Sequence, residues 1–208
     1  MLFRSEIDHS GWRALEQDYA HLKKKAEMHD TFQLLKVGTR DKHISKTFLG
    51  VFAADRFPKQ RQLPCCYIIN TDNSGKPGQH WIAIYENSFT DLSQNIFFDS
   101  YGSVPSELNS LWKQFDAYKR SSQDYQQRHL TVCGDYCLYV LKLFNMGKTL
   151  ENVLSRFDRY DKEHNDERVS ERVHAEYPRI LNTSSHPHIN CQSCISREAN
   201  INKKVRYY

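Results

Sequence analysis

Cys133, which is followed directly by Gly134, is the residue of this chain best suited to act as a nucleophile. A cysteine attacks a carbonyl carbon as a thiolate, so it needs a base, a group that orients the base and donors for the resulting oxyanion. His80 is the candidate base, and Asp99 is the candidate group that fixes its tautomer. The alternative for Cys133 taken alone is a buried structural cysteine, because free cysteines often behave as small apolar residues.

Two adjacent glutamines, Gln126 and Gln127, shortly precede Cys133 and are candidate donors to the oxyanion. The backbone N–H of Cys133 would supply the second donor. A glutamine in a polar loop is more often simply solvated, so only its combination with the histidine, the carboxylate and the cysteine gives either glutamine this role.

The elements around His80 and Asp99 predict that these two residues meet. Residues 81–85 and 95–98 have the composition of two β-strands joined by a polar stretch, which is typical of an antiparallel pair. His80 precedes the first strand and Asp99 follows the second, so both would lie at one edge of the sheet. A third strand is predicted over residues 65–70, and turn-forming residues lie between it and His80.

The segment from Cys133 to Phe144 is apolar on nearly every side, which predicts a buried helix that begins at the cysteine. The positive end of the helix dipole would favour the thiolate there, whereas Cys137, one turn further on, is interpreted as core. Amphipathic helices are also predicted near residues 12–26, 108–118 and 150–160. From about residue 161 the chain becomes strongly charged and loses its periodicity.

The 208 residues predict one compact unit with an N-terminal helical extension (1–45), a core (46–160) and a charged C-terminal segment (161–208). The first residues lack an apolar leader, and no apolar run approaches the ~18 residues that cross a bilayer. We therefore expect a soluble, unsecreted protein with reduced cysteines and no membrane contact. The net charge of +4 permits contact with nucleic acid, although the basic clusters at 23–25 and 203–204 can equally face water.

Several motifs resemble, in order and near the same spacing, those of the adenovirus cysteine protease (adenain) family, which is related to the SUMO-deconjugating proteases. The match spans roughly residues 46–144, and it is specific because unrelated short motifs coincide. The matching motifs are Phe48-Leu49-Gly50, Asp55-Arg56-Phe57-Pro58, Cys66-Tyr67-Ile68-Ile69-Asn70-Thr71, His80-Trp81, Phe97-Phe98-Asp99-Ser100-Tyr101-Gly102 and Cys133-Gly134.

The resemblance implies an α+β, papain-like fold: a mixed β-sheet flanked by helices, with the catalytic cysteine at the N-terminus of a buried helix. It implies His80, Asp99, Gln127 and Cys133 as the catalytic groups. Adenovirus enzymes usually carry glutamate at the position of Asp99, whereas aspartate is found in the SUMO proteases. Gln127 fits the SUMO-protease spacing of six residues before the cysteine and Gln126 the adenovirus spacing of seven, and we favour Gln127. The resemblance places Trp81 over the imidazolium, and plain packing is its alternative role.

The resemblance also implies a function, namely a cysteine endopeptidase that cleaves capsid or precursor proteins after small residues such as glycine. We expect a monomer. The source would be a virus or a virus-like DNA transposon, and the site of action the host nucleus or the virion during maturation. No cofactor is implied. DNA is a candidate activator through nonspecific phosphate contacts, and an activating peptide is a second candidate, although the chain has no clear counterpart of the cysteine that binds such a peptide. The alternatives are an isopeptidase for ubiquitin-like proteins and a catalytically decayed DNA-binding or capsid-scaffold protein.

Four potential metal ligands lie close together near the C-terminus. His186, His188, Cys191 and Cys194 have the residue types of a zinc site, but their spacing is compressed and no second Cys-x-x-Cys accompanies them. A pair of reduced surface thiols and a disulfide are the alternatives, and no metal site is predicted.

Overall fold

The computed structural model describes residues 30–59, 61–76, 78–102, 110–128 and 130–181. The helix predicted near residues 12–26, both basic clusters and the C-terminal histidines and cysteines lie outside the described residues. Within the described part of the chain, no helix combines the length and apolar composition required to span a lipid bilayer.

A five-stranded mixed β-sheet forms the centre of the protein. In chain order, which is also their order across the sheet, its strands are β1 (Phe48–Ala53), β2 (Cys65–Asn70), β3 (Trp81–Glu86), β4 (Ile96–Phe98) and β5 (Lys119–Arg120). The outer pairs β1–β2 and β4–β5 are parallel, and the inner pairs β2–β3 and β3–β4 are antiparallel. All of β2 is buried, which explains why its sequence is a continuous apolar run rather than an alternating one.

Successive side chains of a strand point to opposite faces, so β2 contributes to two cores. Cys66 and Ile68 lie in the core on the face that packs against the helices. Tyr67 and Ile69 lie in the core on the other face, which also contains Trp112 and Phe115.

Five α-helices complete the described fold: α1 (Thr31–Arg40), α2 (Cys133–Asn145), α3 (Leu150–Leu154), α4 (Lys162–Glu176) and α5 (Pro178–Leu181). Helix α2 packs on β3, α1 packs against β1, and α4 packs on α2. Eleven of the thirteen residues of α2 are buried, Cys133 among them. The predicted fold class is therefore confirmed: the protein is α+β, with a mixed sheet flanked by helices and Cys133 at the start of a buried helix.

The described part of the amphipathic helix predicted near residues 108–118 is a 3-10 helix, Ser110–Phe115, and residues 108–109 lie outside the described residues. A second 3-10 helix, Leu92–Gln94, lies between β3 and β4. The buried side chains of Trp112, Phe115 and Tyr118 recur every three residues, a spacing that matches the three residues per turn of a 3-10 helix.

Helix α4 occupies the segment in which the sequence shows no apolar periodicity. Asp161 caps its N-terminus by accepting a hydrogen bond from the backbone N–H of His164 at 2.9 Å. Its buried stripe begins with Asn165 and continues with Val169 and Val173, one helical turn apart. Because the first buried position is polar, a search for apolar repeats does not find this helix.

Candidate active site

His80 and Asp99 meet at one edge of the sheet. Ala83 of β3 pairs with Phe98 of β4, so the register continues to Asp99 opposite Ile82. His80 lies two residues before Ile82, which makes it a diagonal neighbour of Asp99 on the same face of the sheet. The Nε2 atom of His80 is 2.7 Å from the Oδ1 atom of Asp99. Only 8% of His80 and 2% of Asp99 are exposed, so water competes little for this hydrogen bond.

The backbone around Asp99 fixes its carboxylate. The Oδ1 atom also accepts a hydrogen bond from the backbone N–H of Tyr101 at 2.8 Å. The Ser121 hydroxyl donates to the carbonyl oxygen of Asp99 at 2.7 Å and accepts from its N–H at 3.1 Å. Gly102 completes the turn with a φ of 61°, and a Cβ there would lie 2.5 Å from the backbone of Gln123. The turn therefore requires glycine at this position.

Cys133 is the first residue of α2, and the start of this helix has no side-chain cap. The N-cap residue is Val132, which has no polar side-chain atom to accept a backbone hydrogen bond. The first N–H groups of a helix have no partner within the helix, and they carry the positive end of its dipole. The N–H of Cys133 is thus a donor available next to its own sulfur, which is the arrangement that an oxyanion requires.

The sulfur of Cys133 lies close enough to His80 to affect its protonation. Burial alone would lower the pKa of His80. The hydrogen bond to Asp99, the interaction with Cys133 and the charges of both partners outweigh burial and raise this pKa to about 9. The Nδ1 atom is buried, and no described atom makes a hydrogen bond of good geometry to it. Sulfur and ring are therefore near each other but not aligned, as is common for catalytic pairs without substrate.

Tyr101 contacts the imidazole and was not among the predicted site residues. Its ring stacks on that of His80, with centroids 4.4 Å apart and planes 19° from parallel. Burial is the main cause that raises the pKa of its hydroxyl to about 12, and the nearby Cys133 contributes. The only sequence signal was its place in the motif after Asp99. Trp81, which the resemblance placed over the imidazolium, packs in the core on the helix side of the sheet.

The two candidate glutamines have different environments. Gln126 is fully buried, and its side-chain oxygen accepts a hydrogen bond from the Ser100 hydroxyl at 2.7 Å. Its side-chain N–H group donates to the carbonyl oxygen of Leu130 at 2.7 Å and to the hydroxyl of Tyr101 at 3.3 Å. Gln127 is half-buried, and no described residue forms a hydrogen bond with its side-chain amide. The amide of Gln126 is thus occupied in holding the loop, whereas that of Gln127 is available.

Asp166 of α4 is a second residue near the site that the sequence did not indicate. Its Oδ2 atom accepts a hydrogen bond from the backbone N–H of Gln127 at 3.0 Å, and its Oδ1 atom accepts one from the hydroxyl of Tyr136 at 2.9 Å. Burial is the main cause that raises the pKa of Asp166 to about 7. The carboxyl therefore links the glutamine loop to the helix that begins at Cys133.

The four cysteines of the described residues, at positions 65, 66, 133 and 137, are all free. Within the described part of the chain, no group of three or more His, Cys, Asp or Glu side chains is arranged to hold a metal ion. The arrangement of sulfur, imidazole and carboxylate suits nucleophilic attack on a carbonyl carbon.

Comparisons with known proteins found similarity to viral proteases. The chain is 28% identical over 102 residues to a protein of Acanthamoeba polyphaga mimivirus named as a thiol protease, covering 42% of this chain and 32% of that protein. It is 28% identical over 138 residues to the protease of porcine adenovirus A serotype 3, covering 56% of this chain and 65% of the relative. The chain thus spans less than two thirds of the length of either relative.

One solved structure with similarity to this chain is the crystal structure of an ASFV protease. The TM-score is 0.45 at 19% sequence identity, and the superposition covers 81% of this chain and 82% of the other. No protein-family model matches the sequence.

Proposed function

We propose that this chain, which belongs to the adenain-like cysteine protease family, is a thiol endopeptidase whose nucleophile is the sulfur of Cys133. The observation that carries the proposal is the 2.7 Å hydrogen bond between His80 and Asp99, formed beside a cysteine at an uncapped helix start. A structural cysteine would have no use for an oriented imidazole or for free backbone donors.

The side chains divide the reaction between them. His80 takes the proton of Cys133 at its Nδ1 atom, while the Nε2–H donates to Asp99 and keeps the ring in this tautomer. The sulfur attacks the peptide carbonyl, and His80 then gives the proton to the leaving amine. Water then attacks the resulting thioester while His80 takes a proton from the water. The sulfur leaves as the thioester bond breaks, and His80 returns the proton to the sulfur.

The oxyanion of each tetrahedral intermediate needs donors that are already in place. We assign these to the backbone N–H of Cys133 and the side-chain N–H of Gln127. The support for Gln127 over Gln126 is that the buried Gln126 amide already binds Ser100 and Leu130. Gln126 would have to break both bonds to reach a substrate, and a buried polar group left without a partner costs about 1–3 kcal/mol.

The substrates that we propose are capsid or other precursor proteins of a virus or virus-like element, cleaved after small residues such as glycine. The support is the viral origin of both relatives. The host nucleus or the virion is the proposed site of action, with DNA as a nonspecific activator. We also propose that the protein acts as a monomer.

The test is hydrolysis of peptides that contain a glycine pair, with the cut sites located by mass spectrometry, in the presence and absence of DNA. Cys133→Ala should lower kcat by several orders of magnitude while the protein stays folded. Cys137→Ala is the matched control, since Cys137 is a buried cysteine one turn later in the same helix. Iodoacetamide should label Cys133 before Cys137, whose pKa is raised by burial. Hydrolysis that survives in Cys133→Ala would refute the proposal.

A second candidate function is an isopeptidase for ubiquitin-like proteins. It is favoured by the aspartate at position 99 and by the six residues that separate Gln127 from Cys133. The two functions are separated by measuring kcat/KM on a ubiquitin-like conjugate and on the peptides. An isopeptidase would show a much higher kcat/KM on the conjugate.

A further inference from the structure

The first two turns of α4 contact the loop that carries Gln127, and they do so at three points. Residues 121–128 form no helix or strand, although the backbone N–H groups of Tyr125 and Gln126 both donate to the carbonyl oxygen of Ser100. The three contacts are the Lys162 ammonium with the Asp124 carboxylate at 2.9 Å, the Asn165 amide with the Tyr125 carbonyl at 3.2 Å and the Gln127 N–H with Asp166 at 3.0 Å. The helix thus contacts the loop from residue 124 to residue 127.

Asp166 makes the contact with Gln127, the residue that carries the proposed oxyanion donor. It is only 2% exposed, and its two oxygens bind different elements, the Gln127 backbone and the hydroxyl of Tyr136 on α2. The hydroxyl of Tyr136 also lies 3.0 Å from the carbonyl oxygen of Tyr125, so it has a second acceptor. The backbone N–H of Gln127 is therefore the group that would lose its partner if Asp166 were removed.

We propose that Asp166 is a positioning residue for catalysis, holding the backbone of Gln127 so that its side-chain amide donates to the oxyanion. The inference rests on the proposed function. Asp166 does not touch the substrate, and it acts only through Gln127. Through Asp166, helix α4 would contribute to catalysis, although it lies outside the motifs that carry the resemblance.

The experiment compares two reactions of the same sulfur. Peptide hydrolysis forms an oxyanion, whereas alkylation by iodoacetamide at a tetrahedral carbon does not. Asp166→Ala should lower kcat by about tenfold or more, up to the ~10²-fold that the loss of one oxyanion donor costs, with little change in KM. The alkylation rate of Cys133 should stay within about twofold of the wild type, because the nucleophile and its base are unchanged.

Asp166→Asn should restore most of kcat. The asparagine oxygen can accept the N–H of Gln127, and its amide N–H can donate to the hydroxyl of Tyr136, which then donates to the carbonyl of Tyr125. In a double-mutant cycle, Asp166→Ala should lower kcat no further once Gln127→Ala is present, because both changes remove the same donor.

The matched control is Asp41→Ala. Asp41 is another buried aspartate, and it accepts hydrogen bonds from the hydroxyl of Tyr177 and from two backbone N–H groups. It lies near Lys142, nine residues after Cys133 and therefore roughly 13 Å along α2. Asp41→Ala should lower the melting temperature about as much as Asp166→Ala but leave kcat near the wild-type value.

The inference is overturned if Asp166→Ala lowers kcat no more than Asp41→Ala does, if alkylation falls in parallel with hydrolysis, or if the double mutant is additive. These outcomes are separable from failure of the proposed function. A wild-type protein without hydrolytic activity, or an active Cys133→Ala variant, would refute the proposed protease itself.

Discussion

Asp99→Asn should lower the pKa of His80 without changing which ring nitrogen carries the proton. The Oδ1 atom of Asp99 receives two hydrogen bonds, from His80 at 2.7 Å and from the Tyr101 backbone at 2.8 Å. An asparagine must keep its carbonyl oxygen at this position, because its amide nitrogen would otherwise face the N–H of Tyr101. The Nε2 atom therefore remains the protonated nitrogen, and Nδ1 remains free to accept the proton of Cys133.

The size of the effect follows from the influences on His80. Burial is the largest and lowers its pKa, while Asp99 and Cys133 together raise it to about 9. Without the charge of Asp99, only Cys133 and the hydrogen bond to the asparagine oxygen oppose burial. The loss of a contacting opposite charge lowers the pKa of such a ring by ~1–3. The protonated ring, which gives its proton to the leaving amine, exists below the pKa of His80 and is lost as the pH rises through it. The alkaline limb of kcat/KM should therefore move from near pH 9 to a value ~1–3 units lower.

The assay is kcat/KM for peptide hydrolysis between about pH 5 and pH 10, measured on the wild type, Asp99→Asn and Asp99→Ala. Asp99→Ala should be the least active of the three, because the Nε2–H of His80 then loses its acceptor altogether. An unmoved alkaline limb in Asp99→Asn would refute the electrostatic argument. Activity of Asp99→Asn at or below that of Asp99→Ala would show that the amide had turned and stabilised the wrong tautomer.

The remaining predictions concern the two glutamines and Asp166. Gln126→Ala should lower the free energy of unfolding by about 1–3 kcal/mol, because the buried Ser100 hydroxyl loses its acceptor and the Leu130 carbonyl loses the closer of its two donors. Gln127→Ala should instead lower kcat by ~10²-fold with almost no change in denaturant midpoint, and the opposite pattern would exchange the two roles. The pKa of Asp166 is raised from 3.8 to about 7, so the folded protein binds the proton of this carboxyl more tightly than the unfolded chain does. The free energy of unfolding therefore falls as the pH rises from about 4 to about 7. The melting temperature should thus fall less between about pH 5 and pH 7.5 in Asp166→Asn than in the wild type, and equal slopes would contradict this. The groups that face Asp166 are the Gln127 N–H, the Tyr136 hydroxyl, Asp124 and Lys162.

The proximity of His80 and Asp99 could be predicted because it depends only on strand pairing. Two strands with a short connection pair in an antiparallel manner, so the residues just outside them meet whatever the loop does. The buried helix that begins at Cys133 was also predictable, because a segment that is apolar on nearly every side is stable only when it is buried.

The choice between Gln126 and Gln127 and the place of Tyr101 depend on loop conformation, which periodicity does not describe. In the sequence, Tyr101 stood out only as part of a turn, yet its ring stacks on His80. Helix α4 was missed because a polar residue, Asn165, occupies a buried position of its inner face. Where a buried position of a helix is polar, the pattern of apolar residues does not predict the helix. The role of such a residue is seen only from the hydrogen bonds that it forms in the structure.

The buried polar contacts also explain how an irregular loop could position Gln127, the proposed oxyanion donor. Two buried side chains fix the segment around Gln127: Gln126 ties it to Ser100, which follows β4, and Asp166 ties it to α4. Burying an amide and a carboxylate is costly unless each is paired, and both are paired here. An apolar contact would have packed the loop at lower cost, but apolar contacts tolerate sliding, whereas a hydrogen bond fixes the position of one backbone atom. The fold thus carries buried polar groups beside Gln127, as expected if this residue is the proposed donor, because an oxyanion donor must be held to within a fraction of an ångström.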